Sequence, residues 1–206
     1  MFITLEGPEG SGKTSQMPRL ASRLQKEGYS VLTTREPGGT SIGDQIRGVL
    51  FDLGNTDMHP RSEILLFQAS RAQLVEQLIR PALRKDKVVL CDRYADSTLA
   101  YQGYGHRVDL EQLSKIVHFA TGGLKPDLTL FLDVDVEEGL KRRDSGGDWN
   151  RLDDYDPEFH RRVYAGYQEL IKAEPARWVV VDAAQSPNQV AEAIQQIVLE
   201  RLKQAA

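Results

Sequence analysis

The sequence predicts an α/β fold: five parallel strands in one sheet, with helices on both faces in a three-layer α/β/α stack. Two observations carry this. β-type runs at 2–6, 29–35, 88–92, 128–133 and 178–182 alternate with helical runs at 13–27, 41–51, 61–83, 110–121, 136–143, 157–173 and 188–203. The first run leads into a glycine-rich octet, Gly7-Pro8-Glu9-Gly10-Ser11-Gly12-Lys13-Thr14, which passes directly into the first helix. No repeat, low-complexity tract or linker divides the 206 residues. One domain over 1–206 is therefore expected.

Taken in order, Phe2, Ile3 and Leu5 make the first strand apolar and buried. The octet fits G-x-x-x-x-G-K-[ST], the phosphate-loop pattern. Glycines let the backbone curl so that successive N–H groups face phosphate oxygens, and the helix adds its positive end. Strand, glycine loop and helix in that order make this a P-loop NTPase in fold, with a nucleoside triphosphate as its ligand. Gly7, Pro8, Glu9, Gly10, Ser11 and Gly12 line the cradle, Lys13 reaches the β- and γ-phosphates, and the Thr14 hydroxyl ligates Mg²⁺. Pro18, a turn into the helix, removes one backbone hydrogen bond and is expected to bend the axis.

The later strands end in Thr34-Arg35-Glu36-Pro37-Gly38-Gly39, Asp92-Arg93-Tyr94, Asp133-Val134-Asp135 and Asp182-Ala183-Ala184-Gln185. In parallel sheets the ligand lies beyond the carboxyl ends of the strands, and here charged residues gather there. Asp92, closing an apolar strand beside a phosphate loop, is placed to hold Mg²⁺. Arg93 next to it is suited to clamp a phosphate with two parallel bonds.

Composition narrows the partners. A net charge of −4 argues against a general nucleic-acid binder, which normally shows a basic face. The 4 histidines are scattered without metal-ligand spacing. Cys91 is the only cysteine, and in the run Val88-Val89-Leu90-Cys91 it reads as a small buried hydrophobe. No apolar stretch approaches a membrane span and no signal-peptide pattern opens the chain, so a cytoplasmic location without a membrane partner is expected.

The stretch Leu90-Cys91-Asp92-Arg93-Tyr94-Ala95-Asp96-Ser97-Thr98-Leu99-Ala100-Tyr101-Gln102, with Thr34-Arg35-Glu36-Pro37-Gly38-Gly39-Thr40, resembles the thymidylate kinase family in its bacterial form. That family phosphorylates dTMP to dTDP with ATP. The resemblance runs from the phosphate loop to the last helix, and Asp-Arg-Tyr…Ser…Ala-Tyr-Gln is its specific signature.

The resemblance implies a role for each matching position. Phe67 and Arg71, four apart on one helical face, stack on thymine and bond its carbonyl edge. Gln102 meets the polar edge of the base, and Tyr101 packs under the deoxyribose, leaving no room for a 2′-hydroxyl. Glu9 accepts from the 3′-hydroxyl, while Arg35, Arg47, Arg93 and Ser97 surround the acceptor phosphate. Ala184 and Gln185 border adenine. The resemblance also implies a small lid at about 141–152, and because the phosphate loop carries no arginine the family pattern places one there, in Lys141-Arg142-Arg143-Asp144-Ser145-Gly146-Gly147-Asp148-Trp149-Asn150-Arg151. Arg142, Arg143 and Arg151 are its candidates to meet the transferring phosphoryl group. A homodimer using dTMP and ATP is also implied. Such a transfer rests on positioning and cationic charge, and needs no general base because the acceptor phosphate is already an anion.

Two rival readings are distinguishable. Another P-loop nucleotide or deoxynucleoside kinase would share the loop but not the set Phe67, Arg71, Tyr101 and Gln102. A GTP-dependent switch usually carries Asn-Lys-x-Asp, and none of Asn55, Asn150 or Asn188 is followed by lysine.

Overall fold

The computed structural model describes residues 1–145 and 150–205. Its sheet holds β1 (Phe2–Glu6), β2 (Val31–Arg35), β3 (Val88–Asp92), β4 (Leu128–Asp133) and β5 (Trp178–Asp182), paired in parallel in the order β2-β3-β1-β4-β5. The helices are α1 (Lys13–Lys26), α2 (Ser41–Phe51), α3 (Pro60–Leu74), α4 (Arg80–Leu83), α5 (Ala95–Thr98), α6 (Leu110–Thr121), α7 (Val136–Asp144), α8 (Pro157–Ala173) and α9 (Pro187–Ala205). From β1 the chain crosses to β2 at one edge, returns to β3, and then passes to the other side of β1 for β4. Connections therefore diverge at β1, and a crevice opens beyond its carboxyl end. The register sets Asp92 level with Leu5 on one side and Arg35 on the other.

Pleating divides the apolar runs between two layers. Ile3, Leu5, Leu90, Leu128 and Leu130 pack against Leu20 and Leu24 of α1 and Ile194 and Val198 of α9. Phe2, Val89 and Cys91 face the other way, onto Leu74, Val75 and Ile79. Phe131 joins Tyr101, Phe159, Tyr167 and Trp178 on the α8 side.

The larger departures from the sequence reading each have a local reason. The second strand begins at Val31 rather than 29, because Gly28 and Tyr29 spend their N–H groups on the α1 carbonyls of Gln25 and Leu24. The helix expected over 61–83 is α3, a π-helical turn at Val75–Ile79, and α4. Pro81 has no N–H to give the carbonyl four residues back, and Arg80 bonds Val75 five back instead. The sequence reading assigns no element to 95–105. The structure forms α5 there and a second π-helical turn, Leu99–Gly105, which carries Tyr101 and Gln102. Helix α1 continues through Pro18. Among the described residues, no helix is long and apolar enough to cross a membrane.

Candidate active site

The glycine loop closes β1 and opens α1. Thr40, Asp109, Asp135 and Asp156 cap α2, α6, α7 and α8 with side-chain acceptors, but α1 starts from Gly12 at φ 89° with no side-chain cap. The Ser15 N–H bonds the Gly12 carbonyl at 3.1 Å, which leaves the N–H groups of Lys13 and Thr14 for an anion. Gly10 and Gly139 let the loop lie directly on α7. A Cβ on Gly10 would stand 2.0 Å from the Gly139 carbonyl oxygen, and one on Gly139 would stand 2.3 Å from that of Glu9. Inside the loop, Lys13 Nζ donates to the Gly7 carbonyl (3.0 Å), the Pro8 carbonyl (2.8 Å) and Ser11 Oγ (2.9 Å). Burial, then the charge of Arg93, pushes its ammonium down to about 8. Thr14 Oγ1 donates to Asp92 Oδ2 at 2.9 Å, across the β1–β3 pair.

Beside the loop, Arg93 organises a second cluster. Its backbone sits at φ 66°, a left-handed conformation costly for a side chain of this size and held by the contacts around it. Nη2 donates to Glu9 at 2.6 Å, and Nη1 to the Gly7 carbonyl at 3.2 Å and Ser97 Oγ at 3.3 Å. The guanidinium lies 5.0 Å from the Tyr101 ring centroid, and the Tyr101 hydroxyl donates to Glu9 at 2.7 Å. Burial raises the Glu9 carboxyl, but Arg93 and Lys13 outweigh it and hold the group at about 2. Beneath them Glu6, buried, accepts from the Tyr94 N–H (2.8 Å), Ser97 Oγ (2.6 Å) and the Tyr167 hydroxyl (2.8 Å). Burial, and then Asp96, pushes Glu6 up to about 7.

A cavity of about 1110 Å³ opens over both clusters. It brings together the loop residues Glu9 to Thr14, Asp92, Arg93, Ser97, Tyr101 and Gln102, with Arg35, Arg47, Phe67, Arg71, Arg142 and Arg143. A smaller cavity of about 400 Å³ shares Gly10, Ser11, Gly12 and Arg142 with it and is closed by Ala183, Gln185 and Pro187. Gly7 and Pro8 border neither, and act through the carbonyls that hold Lys13. Ala184 also borders neither, and its N–H bonds Asp182 Oδ1 at 2.9 Å.

Two arginines differ from expectation. Arg71 lines the cavity, yet all of its N–H groups are engaged. Nε and Nη2 meet Glu36 at 2.8 and 2.5 Å, Nη1 meets Gln68 and Thr98 at 2.8 and 2.9 Å, and Nη2 also reaches the Tyr94 carbonyl at 3.0 Å. Arg151, a catalytic candidate of the sequence reading, is not brought to the cavity. It is buried, with Nε on the Leu50 carbonyl (3.0 Å), Nη1 on the Tyr155 hydroxyl (3.1 Å) and Nη2 on Glu63 (2.5 Å). Withdrawn to an open lid, it would leave the buried Glu63 carboxylate without its counter-charge. Arg142 and Arg143 do reach the cavity: Arg142 bonds the Ala183 carbonyl at 3.0 Å, and Arg143 is held by Asp153 at 2.9 Å. Gly146, Gly147, Asp148 and Trp149, at the middle of the expected lid, lie outside the described residues.

A family model described as thymidylate kinase matches residues 5–194. The chain belongs to the thymidylate kinase family. The thymidylate kinase of Roseiflexus sp. (strain RS-1) is 52% identical over 96% of this chain and 93% of its own. That of Deinococcus radiodurans is 49% identical over 98% of this chain and 97% of its own. A crystal structure of thymidylate kinase from Ehrlichia chaffeensis aligns with TM-score 0.79 at 33% identity, covering 96% of this chain and 98% of that one.

Several residues around these clusters escaped the sequence reading. Glu63 had a usable signal: it stands one helical step before Phe67 and two before Arg71, so all three share a face of α3. Tyr167 on α8 had none, because its bond to Glu6 joins residues 161 apart. Asp153, which fixes Arg143, was equally silent.

Proposed function

We propose that the chain transfers the γ-phosphoryl group of ATP to dTMP, giving ADP and dTDP. One observation carries the reading: the glycine loop stands between two cavities that share its backbone, so a donor on one side faces an acceptor on the other. ATP occupies the smaller cavity with adenine beside Gln185, and its phosphates lie in the loop. There Lys13 exchanges its internal carbonyl bonds for the β- and γ-oxygens.

The acceptor lies in the larger cavity. Phe67 stacks on thymine, Gln102 and Arg71 meet its polar edge, and Arg71 frees an Nη1 donor from Gln68 or Thr98 to do so. Tyr101 supports the deoxyribose, and Glu9, anionic near pH 7, accepts from the 3′-hydroxyl. Arg93, Ser97, Arg35 and Arg47 hold the acceptor phosphate. Arg142 and Arg143 supply positive charge to the transferring group, whose transition state spreads charge over its equatorial oxygens.

Thr14 and Asp92 offer Mg²⁺ a hydroxyl and a carboxylate in mutual contact at 2.9 Å. Among the described residues no group of three or more His, Cys, Asp or Glu could hold a metal, which fits an ion bound by few protein oxygens plus substrate phosphates. When bound, it neutralises charge on the β- and γ-phosphates. A homodimer and a cytoplasmic location belong to the same reading. Ile42 and Val49 on α2 and Phe119 on α6 are exposed apolar side chains that support the first.

Coupled ADP release against a panel of nucleoside monophosphates tests the proposal. ADP is expected with dTMP, with dUMP at roughly 10–200-fold lower kcat/KM for one missing methyl, and not with AMP or GMP. ADP release independent of dTMP overturns it.

A further inference from the structure

Glu63 is a buried carboxylate on α3 that borders neither cavity. Its Oε1 accepts from Gln102 Nε2 at 2.8 Å. Its Oε2 accepts from Arg151 Nη2 at 2.5 Å and the Tyr155 hydroxyl at 3.2 Å. His106 Nε2 stands 3.4 Å from Oε1. Burial raises the carboxyl, but the His106 imidazole and the bonds from Arg151 and Gln102 outweigh it and hold the group at about 2. Paired with the buried Arg151 guanidinium at 2.5 Å, Glu63 is held as an anion, with lone pairs only.

An anion decides which way round the Gln102 amide sits. A carboxylate has no proton to give, so the end of the amide that faces it must be the NH₂ end. The carbonyl oxygen is left at the other end, and among the described residues no donor is placed on it. Gln102 lines the large cavity, so the polar atom it keeps for a ligand is the acceptor Oε1. Rotating the amide by half a turn would set two oxygens against each other in a dry site.

We propose that Glu63 is a positioning residue for base selection: it locks the Gln102 amide with its oxygen toward the base, so that a pyrimidine with an N3–H is accepted and one with an N3 lone pair is refused. This rests on the dTMP reading above. Thymine and uracil carry the N3–H, whereas cytosine presents an unprotonated N3. The carboxylate acts from behind Gln102 and does not touch the substrate.

The same anion also neutralises Arg151, so the test must separate orientation from support. In Glu63→Gln the new amide turns its oxygen to Arg151, which can only donate, and its NH₂ to Gln102. Gln102 then reverses and shows its own NH₂ to the base. The measurement is kcat/KM for dTMP, dUMP and dCMP in the full-length chain, with thermal melts confirming that each variant is folded at the assay temperature. Glu63→Gln is expected to narrow the dTMP:dCMP ratio on the order of 10-fold or more, while the dTMP:dUMP ratio stays at its wild-type value. Arg151→Lys disturbs only the Oε2 side and is expected to keep both ratios. If Glu63→Gln does not fold, Glu63→Asp carries the test, since it keeps the charge for Arg151 but withdraws from Gln102; the dTMP:dCMP ratio should narrow again.

A wild-type dTMP:dCMP ratio in the folded Glu63 variant overturns the proposal. So does an equal loss with all three nucleotides, or an equal narrowing in Arg151→Lys. Failure of the underlying reading looks different: wild-type protein itself would use dCMP as well as dTMP.

Discussion

The two halves of the site are built on opposite principles. On the donor side, every side-chain bond of Lys13 ends within six residues of it, on Gly7, Pro8 and Ser11. On the acceptor side, the bonds span the chain: Arg93 to Glu9 across 84 positions, Gln102 to Glu63 across 39, Arg71 to Glu36 across 35. A local loop holds its shape through glycine backbone geometry and a bare helix end, so its side chains are free to serve a ligand. A long-range polar network holds its shape by pairing buried charges, so its side chains carry the fold as well as the ligand. The difference teaches where activity and stability separate and where they do not.

The sharpest break of that contrast pairs Lys13→Met with Arg71→Met. Lys13→Met is expected to lower kcat by roughly 10³-fold or more and leave the melting temperature near wild type. Arg71→Met leaves Glu36 buried without its counter-charge, at a cost of about 3–5 kcal/mol. That corresponds to a drop in Tm on the order of 10 °C for a chain of this length. Thermal melts beside steady-state kinetics decide it. If Lys13→Met melts as low as Arg71→Met, the separation is wrong.

The arginines around the lid sharpen the same point within a few residues of chain. Arg142 and Arg143 face the cavity, so replacing at least one by alanine should cut kcat by roughly 10³-fold with little change in dTMP binding. Arg151→Ala should instead lower stability, because Glu63 loses its guanidinium partner in the interior. Near-normal kcat in both cavity-facing variants would remove the lid from the mechanism.

The smallest expected effect concerns Glu6, under the acceptor cluster. Its folded value is raised from 4.5 to about 7, so between those values the folded state keeps a proton that the unfolded chain has lost. Stability therefore falls as pH rises through that window, by on the order of 3 kcal/mol. Glu9, held at about 2, works in the opposite sense and at lower pH: its contribution is present above 4.5 and lost as pH falls toward 2. In Glu6→Gln the decline between pH 4.5 and 7 should disappear from denaturation midpoints. A midpoint difference from wild type that does not vary with pH assigns the slope to another group.

The phosphate-loop residues were legible because they are contiguous, and the set Phe67, Arg71, Tyr101 and Gln102 because it carried a family signature. Arg151 misled because charge beside a glycine-rich stretch reads the same whether the side chain points out to a ligand or inward to Glu63. The π-helical turns were invisible for a related cause. Pro81 announces a missing donor, but only the formed helix shows that the ladder shifts by one residue instead of breaking.

By itself the sequence determined the strand and helix order, the glycine loop with Lys13 and Thr14, and the gathering of charge at the strand ends. Each rests on near neighbours in the chain, through periodicity, backbone freedom or a helix end. Only the tertiary structure decided which charges meet: Arg93 with Glu9, Arg71 with Glu36, Arg151 with Glu63, and Glu63 with Gln102. A buried charge takes whichever partner packing delivers, and packing joins residues whose separation along the chain carries no periodic signal.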